Sequence, residues 1–252
     1  MRPWGLVSDV YDLPVCGRMT MRTDPSDIAR IFDAELGDAA GLDELGPRYN
    51  VAPTQPIAVV LQRGDEGRFV ELHRWGLVPA WANSPAAGAR MINARAETIA
   101  TSSAFRASFL RRRCIIPADG FYEWRREGKV KQPFLIHTGE DRPLAFAGIW
   151  SPWRNPASGE WLLSAAVVTT AANATVNELH NRMPSILTDE EWPLWLDPMI
   201  ADPALLRDLL HPADDALLRL DPASPLVNNA NNEGPELLIT PVETEPALTL
   251  FD

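Results

Sequence analysis

"CIIPADGFYEW", residues 114–124, is the stretch on which the fold class turns. Two isoleucines lie near its start, three aromatics and Glu123 close it, and Pro117, Asp119 and Gly120 interrupt between them. Branched and aromatic side chains favour the pleated, half-buried surface of a strand, while Pro, Asp and Gly mark where such runs begin and end. Similar runs recur as "QPFLIHT" (132–138), "LAFAGIW" (144–150) and "LLSAAVVTT" (162–170), so the middle of the chain is rich in short strands.

Outward from this core the signals are mixed. "DPSDIARIFDAEL" sets Asp and Ser ahead of Ile28, Ile31, Phe32 and Leu36, the pattern of a capped amphipathic helix. In "RYNVAPTQPIAVVLQ" two prolines interrupt a turn that leads to an apolar strand from Ile57 to Leu61. "RFVELHRWGLVPAWA" predicts a strand running into an aromatic loop, and "NARAETIATSSAFRASFLRRR" predicts a helix with Arg106 and Arg111 to Arg113 late in it or just after. "DEEWPLWL" and "DPALLRDLLH" suit short helices, and "NNANNEGPELL" an irregular segment. Strands and helices do not alternate regularly and no linker divides the chain. The expectation is a single α+β domain with a mainly antiparallel, barrel-like sheet and flanking helices.

Composition narrows the function. The chain has 252 residues and a net charge of −11, but the acidity is concentrated: from Asp189 onward there are 14 acids and 2 bases, leaving 20 acids and 21 bases before it. A general polyanion binder is excluded, whereas a local basic groove on the near-neutral body is not. Cys16 and Cys114 lie far apart without a CxxC or Cys/His spacing, and four histidines leave little room for a metal cluster, so no cofactor or metal is expected. The first residues lack a continuous apolar stretch of the kind a secretion signal needs, and no run approaches the ~20 residues of a membrane span. A soluble cytoplasmic protein is expected.

Several residues can carry chemistry. Cys16 in "CGRM" reads either as a small buried side chain or, with Arg18 and Arg22 nearby, as a nucleophile. Cys114, entering an apolar strand, belongs to the core. His180 in "NELHNRMP" sits in a polar cluster just after a strand. Simple alternation sends Glu123, between Tyr122 and Trp124, toward solvent; the rival reading desolvates it, raises its pKa and makes it a proton-transfer group. Asn93 and Arg95 in "INARAET" project to one side of an extended segment, as surface residues or as an oxyanion or phosphate site. Trp75 and Trp81 bracket "GLVPA"; tryptophans are usually core, but two flanking a Pro loop also suit base stacking.

The joint order of "CGRM", "RYNVAP", "RWGLVPAW", "INARAET", "CIIPADGFYEW", "AGIW", "VVTTAAN" and "LHNRMP", continuing into "VNNANNEGPELL", resembles the SOS response-associated peptidase (SRAP) family, whose members process abasic sites in single-stranded DNA. In that family the cysteine of CGR becomes the N-terminal residue and joins the ring-opened abasic aldehyde as a thiazolidine. The resemblance implies Cys16 as nucleophile, Asn93 positioning the reacting terminus and sugar, Glu123 transferring protons, and His180 as general acid/base. It implies Arg95 on a phosphate, with Arg18, Arg48 and Arg182 as further phosphate contacts, and Pro53 and Trp81 in a wedge that separates bases. Some relatives carry consecutive tryptophans at the wedge where this chain has Trp81 and Ala82. The implied partner is abasic single-stranded DNA, bound by a monomer that is nucleoid-associated when on DNA, with autoproteolytic and DNA-lyase-like activity.

An amide nitrogen cannot form that ring, so residues 1–15 are expected as a leader absent from the mature protein, with residues 16–252 as the working domain and its acidic C-terminal quarter. Val15 marks the expected start, because GUG encodes valine internally yet initiates as methionine; autocleavage before Cys16 is the rival route. Three other readings stand: an N-terminal-nucleophile amidohydrolase, a noncovalent single-stranded DNA-binding module, and a papain-like Cys16/His180/Asn93 site.

Overall fold

The computed structural model describes residues 16–37, 41–42, 45–128 and 130–239; the expected leader and the residues after 239 lie outside the described residues. The strands are β1 (Met19–Met21), β2 (Ala34–Leu36), β3 (Arg48–Val51), β4 (Pro56–Gln62), β5 (Arg68–Trp75), β6 (Asn93–Arg95), β7 (Arg113–Ala118), β8 (Gly120–Glu127), β9 (Val130–His137), β10 (Leu144–Arg154), β11 (Trp161–Ala171), β12 (Arg182–Pro184) and β13 (Arg219–Pro222). The short helices are α1 (Pro25–Ile31), α2 (Arg106–Arg111), α3 (Ala174–Asn177), α4 (Trp192–Leu196) and α5 (Pro203–Asp208).

Five strands close a barrel. β11 pairs with β10, β10 with β7, β7 with β4 and β4 with β5, all antiparallel, and a parallel pairing of Ser164 with Arg74 and Ala165 with Trp75 joins β5 back to β11. β2, β6 and β12 are attached to this ring. A second, antiparallel sheet runs β13-β9-β8-β1-β3. The chain passes from one to the other inside residues 114–124: β7 ends at Ala118, Asp119 turns, and β8 begins at Gly120. Gly120 has no alternative there, since a Cβ would lie 2.8 Å from the Ile136 carbonyl oxygen. Asp119 fixes the corner by accepting from the Thr23 amide at 3.2 Å and the Thr23 hydroxyl at 2.6 Å, and from the Arg22 amide.

One apolar core fills the barrel and continues between the sheets. Phe121 of β8 meets Phe146 of β10 edge-on at 5.7 Å, so the two sheets share side chains. α4 closes the barrel wall: Trp195 is fully buried, packs near Phe109 and donates its indole N–H to the Cys114 carbonyl at 2.8 Å. Cys114 is core, as expected, and burial pushes its thiol pKa well up.

Most elements lie where the residues predict them, with three differences. α1 is capped by Asp24, whose side chain accepts from the Ser26 amide, and it ends at Ile31 because residues 34–36 leave as β2. The helix expected over 93–113 is absent except for α2; Asn93, Ala94 and Arg95 instead form β6, paired in parallel with Val167, Val168 and Thr169. Residues 48–51, expected as a turn, form β3 because β1 supplies their partner. Among the described residues no helix is long and apolar enough to cross a membrane.

Candidate functional site

The pairing of β1 with β8 builds the centre. Met19 faces Phe121 and Thr20 faces Gly120, so the chain running back from Met19 reaches Glu123. The Tyr122 amide donates to the Arg18 carbonyl at 3.0 Å, which continues the ladder one step beyond β1. Cys16 then turns with φ at 48°, the left-handed region that a non-glycine residue enters only when its surroundings hold it there. The result is a 2.7 Å hydrogen bond from the Cys16 backbone nitrogen to Glu123 Oε1, spanning 107 positions of sequence.

Both partners are buried: Cys16 is 0 % and Glu123 5 % exposed. The solvent-facing expectation for Glu123 is overturned, because β8 has no solvent face here. On one side Phe121 packs into the main core, and on the other Tyr122 and Trp124 are covered by Ala223, Val227 and Leu238. Burial pushes the Glu123 carboxyl up to about 7, against the opposing pull of the Cys16 N–H and the Lys131 ammonium. Burial, followed by the Glu123 charge, pushes the Cys16 thiol well above its ordinary value. At neutral pH this pocket therefore holds a thiol rather than a thiolate, beside a carboxyl poised to give or take a proton.

His180 stands in the turn after α3 and is 8 % exposed. Its Nδ1 accepts the Arg182 amide at 3.0 Å, which places the hydrogen of the neutral ring on Nε2. Arg125, two residues beyond Glu123, reaches Glu178, two residues before His180, at 3.7 Å. That contact brings the His180 turn to the same side of β8 as Glu123 and Cys16. Asn93 is half-buried at the start of β6, and Arg95 is exposed two residues on.

The other arginines divide differently. Arg18 donates to Asn50 Oδ1 at 2.7 Å and to the Val227 carbonyl at 2.8 Å. Arg48 donates to the Pro56 carbonyl at 2.6 Å and to Gln55. Arg182 grips Glu97 at 2.5 and 3.0 Å and the Thr169 carbonyl at 2.6 Å. All three brace the walls of the site, leaving Arg95 as the expected phosphate residue that is exposed. Trp75 is fully buried and Trp81 is 63 % exposed. The Pro53 loop is tied to the Trp81 loop by the Thr54 amide on the Trp75 carbonyl at 2.8 Å. Ala82 is buried against Trp153, whose indole donates to its carbonyl at 2.7 Å.

Lys131, Asn50 and Arg125 were not singled out by sequence. Only the register of β8 on β9 carries Lys131 near Glu123, and only the β1 to β3 pairing brings Asn50 under Arg18. "RYNVAP" held the one available signal, an asparagine in a run entering apolar sequence.

Fold and site together define a single-domain barrel protein in which a buried carboxyl holds the backbone nitrogen of a cysteine. The family model described as SOS response associated peptidase (SRAP) matches residues 15–230, and the chain belongs to that family. Abasic site processing protein YoqW of Bacillus subtilis is 41% identical over 225 residues, covering 89% of this chain and 99% of that protein. Abasic site processing protein HMCES of Xenopus tropicalis is 30% identical over 276 residues, covering 93% and 82% respectively. A crystal structure of a protein from Bacteroides thetaiotaomicron superposes with a TM-score of 0.80 at 26% identity, covering 90% of this chain and all of that one.

Proposed function

We propose that this protein senses abasic sites in single-stranded DNA and traps them covalently through Cys16, protecting the lesion. The observation that carries the reading is the 2.7 Å bond from the Cys16 nitrogen to a carboxyl pushed up to about 7. A site that needed only the sulfur would have no use for a proton-transfer group on the backbone nitrogen. When residue 16 begins the chain, that nitrogen is an amine. The family match starting at residue 15 and the names of the relatives support the same reading.

The chemistry runs in two stages. The neutral amine attacks the open-chain aldehyde carbon; Glu123 takes a proton from nitrogen and returns one to the departing hydroxyl, so that water leaves and an imine forms. The Cys16 sulfur then adds to the imine carbon while its proton passes to the nitrogen, closing a five-membered ring. The raised thiol pKa suits this order, since the amine attacks first and the sulfur follows only intramolecularly. His180, with hydrogen on Nε2, would protonate the sugar ring oxygen as it opens; Asn93 would hold the reacting terminus, Arg95 a phosphate, and Pro53 and Trp81 the wedge. A thiolate-first papain-like site is disfavoured by the same thiol shift.

Incubating a chain that begins at Cys16 with an abasic single-stranded oligonucleotide tests the proposal. A protein–DNA adduct that survives boiling in detergent is expected, and Cys16→Ser should abolish it. No adduct from the trimmed chain overturns the reading. The native protein's N-terminus, read by mass spectrometry, distinguishes initiation at residue 15 from autocleavage, and from retention of residues 1–15.

A further inference from the structure

The acidic C-terminal quarter has no part in the chemistry above, yet it contributes much of a second concavity. A cavity of about 630 Å³ lies between the link from β9 to β10, the segment leading into α4, and residues 211–217. None of the residues assigned to the Cys16 site lines it. Its floor is apolar, built from the buried Leu144, Ile186, Leu187 and Trp192, with Leu217 exposed at the edge. Its rim is charged, and the charge is unbalanced. Arg142 lies over the Trp192 ring at 5.3 Å and is paired with Asp189 at 2.5 Å; His211 is paired with Glu191 at 2.9 Å. Glu140, Glu190 and Asp214 complete the rim, and among the described residues none of them has an ion-pair partner.

We propose that this cavity is a docking site for a partner protein's segment in which an apolar side chain is flanked by Lys or Arg. The size suits one large side chain with adjoining backbone, and the apolar floor supplies the affinity. The unpaired carboxylates select positive flanks and repel phosphate, so the occupant is a peptide and not DNA.

The full chain, isotope-labelled, is titrated with acetyl-Arg-Trp-Arg-amide and, separately, with its Gln-Trp-Gln and Glu-Trp-Glu counterparts. Amide shifts at Leu144, Leu187 and Trp192 are expected, with the arginine peptide binding about tenfold tighter than the glutamine one at low salt. Glu140→Lys with Glu190→Lys should reverse the order of the charged peptides, and Leu217→Asp should remove binding. Both variants are checked for folding by the dispersion of their amide spectra, and Glu140→Gln serves where charge reversal fails that check. Equal binding of the three peptides, or no shifts at millimolar peptide, overturns the proposal. So does movement of the same amides with protein concentration alone, which would assign the cavity to a second copy of the chain.

Discussion

Replacing Glu123 with Gln separates the cost of the buried carboxyl from its use. Burial moves this group from an ordinary value of 4.5 to about 7. At about 1.4 kcal/mol per unit, ionising it in the folded protein costs about 3 kcal/mol more than in the unfolded chain. Because the folded-state value is the higher one, stability is fully present below about pH 4.5 and is lost as pH rises through about 7. Gln has the same shape and no charge to desolvate, so the variant lacks this loss. Urea unfolding of both proteins from about pH 5 to about pH 8.5 should show their stability difference shifting toward the variant by about 2–3 kcal/mol, most of it between about pH 5 and pH 7. In the same variant adduct formation should slow by about a hundredfold, the usual loss when a proton-transfer group is removed. A stability difference that stays constant with pH would refute the raised carboxyl; a faster or unchanged adduct rate would refute its role.

The bracing under the site is open to the same kind of test. Asn50→Leu should destabilise by about 2–4 kcal/mol in urea unfolding, because it strands Arg18 and the carbonyls of Asn229 and Asn232 that Asn50 now serves at 2.9 Å. Trp81→Ala should leave the melting temperature unchanged, since the ring is 63 % exposed, while weakening single-stranded DNA binding by the ~1–3 kcal/mol of one stacked base, measured by fluorescence anisotropy. Gly148→Ala should cost about 1–3 kcal/mol, because the new Cβ would sit 2.9 Å from Cys114 Sγ, and adding Cys114→Ala should recover part of that loss in a double-mutant cycle.

How far the sequence carried depended on the range over which each signal acts. Strands such as 144–150 were legible because branched and aromatic runs bounded by turn residues are local facts, and α1 because Asp24 caps its own helix. Residues 93–113 depart from the helix their composition favours because the strand β11, through Val167 to Thr169, claims the backbone of Asn93 to Arg95. Local preference lost there to a parallel pairing more than seventy positions away. Arg18 and Arg182 were legible as basic residues near the site, but not as internal braces, since their partners Asn50, Val227, Glu97 and Thr169 come from other elements.

Glu123 shows the same limit where it matters for chemistry. Alternation assigns a strand one wet face and one dry face, and that rule fails for β8 because both sides are covered: residues 223–238 lie over Tyr122 and Trp124, and the main core around Phe121 and Phe146 closes the side that Glu123 shares with Phe121. The core on that side thus acts on the site without supplying a reacting group: by burying Glu123 beside Phe121 it helps hold the carboxyl up at about 7. It follows that loosening this cover should lower the Glu123 pKa, relieve the pH-dependent instability and weaken proton transfer together. A Phe121→Leu chain tests that coupling: the pH midpoint of the stability loss should fall in step with the pH midpoint of adduct formation, and movement of one without the other would separate the cover from the chemistry.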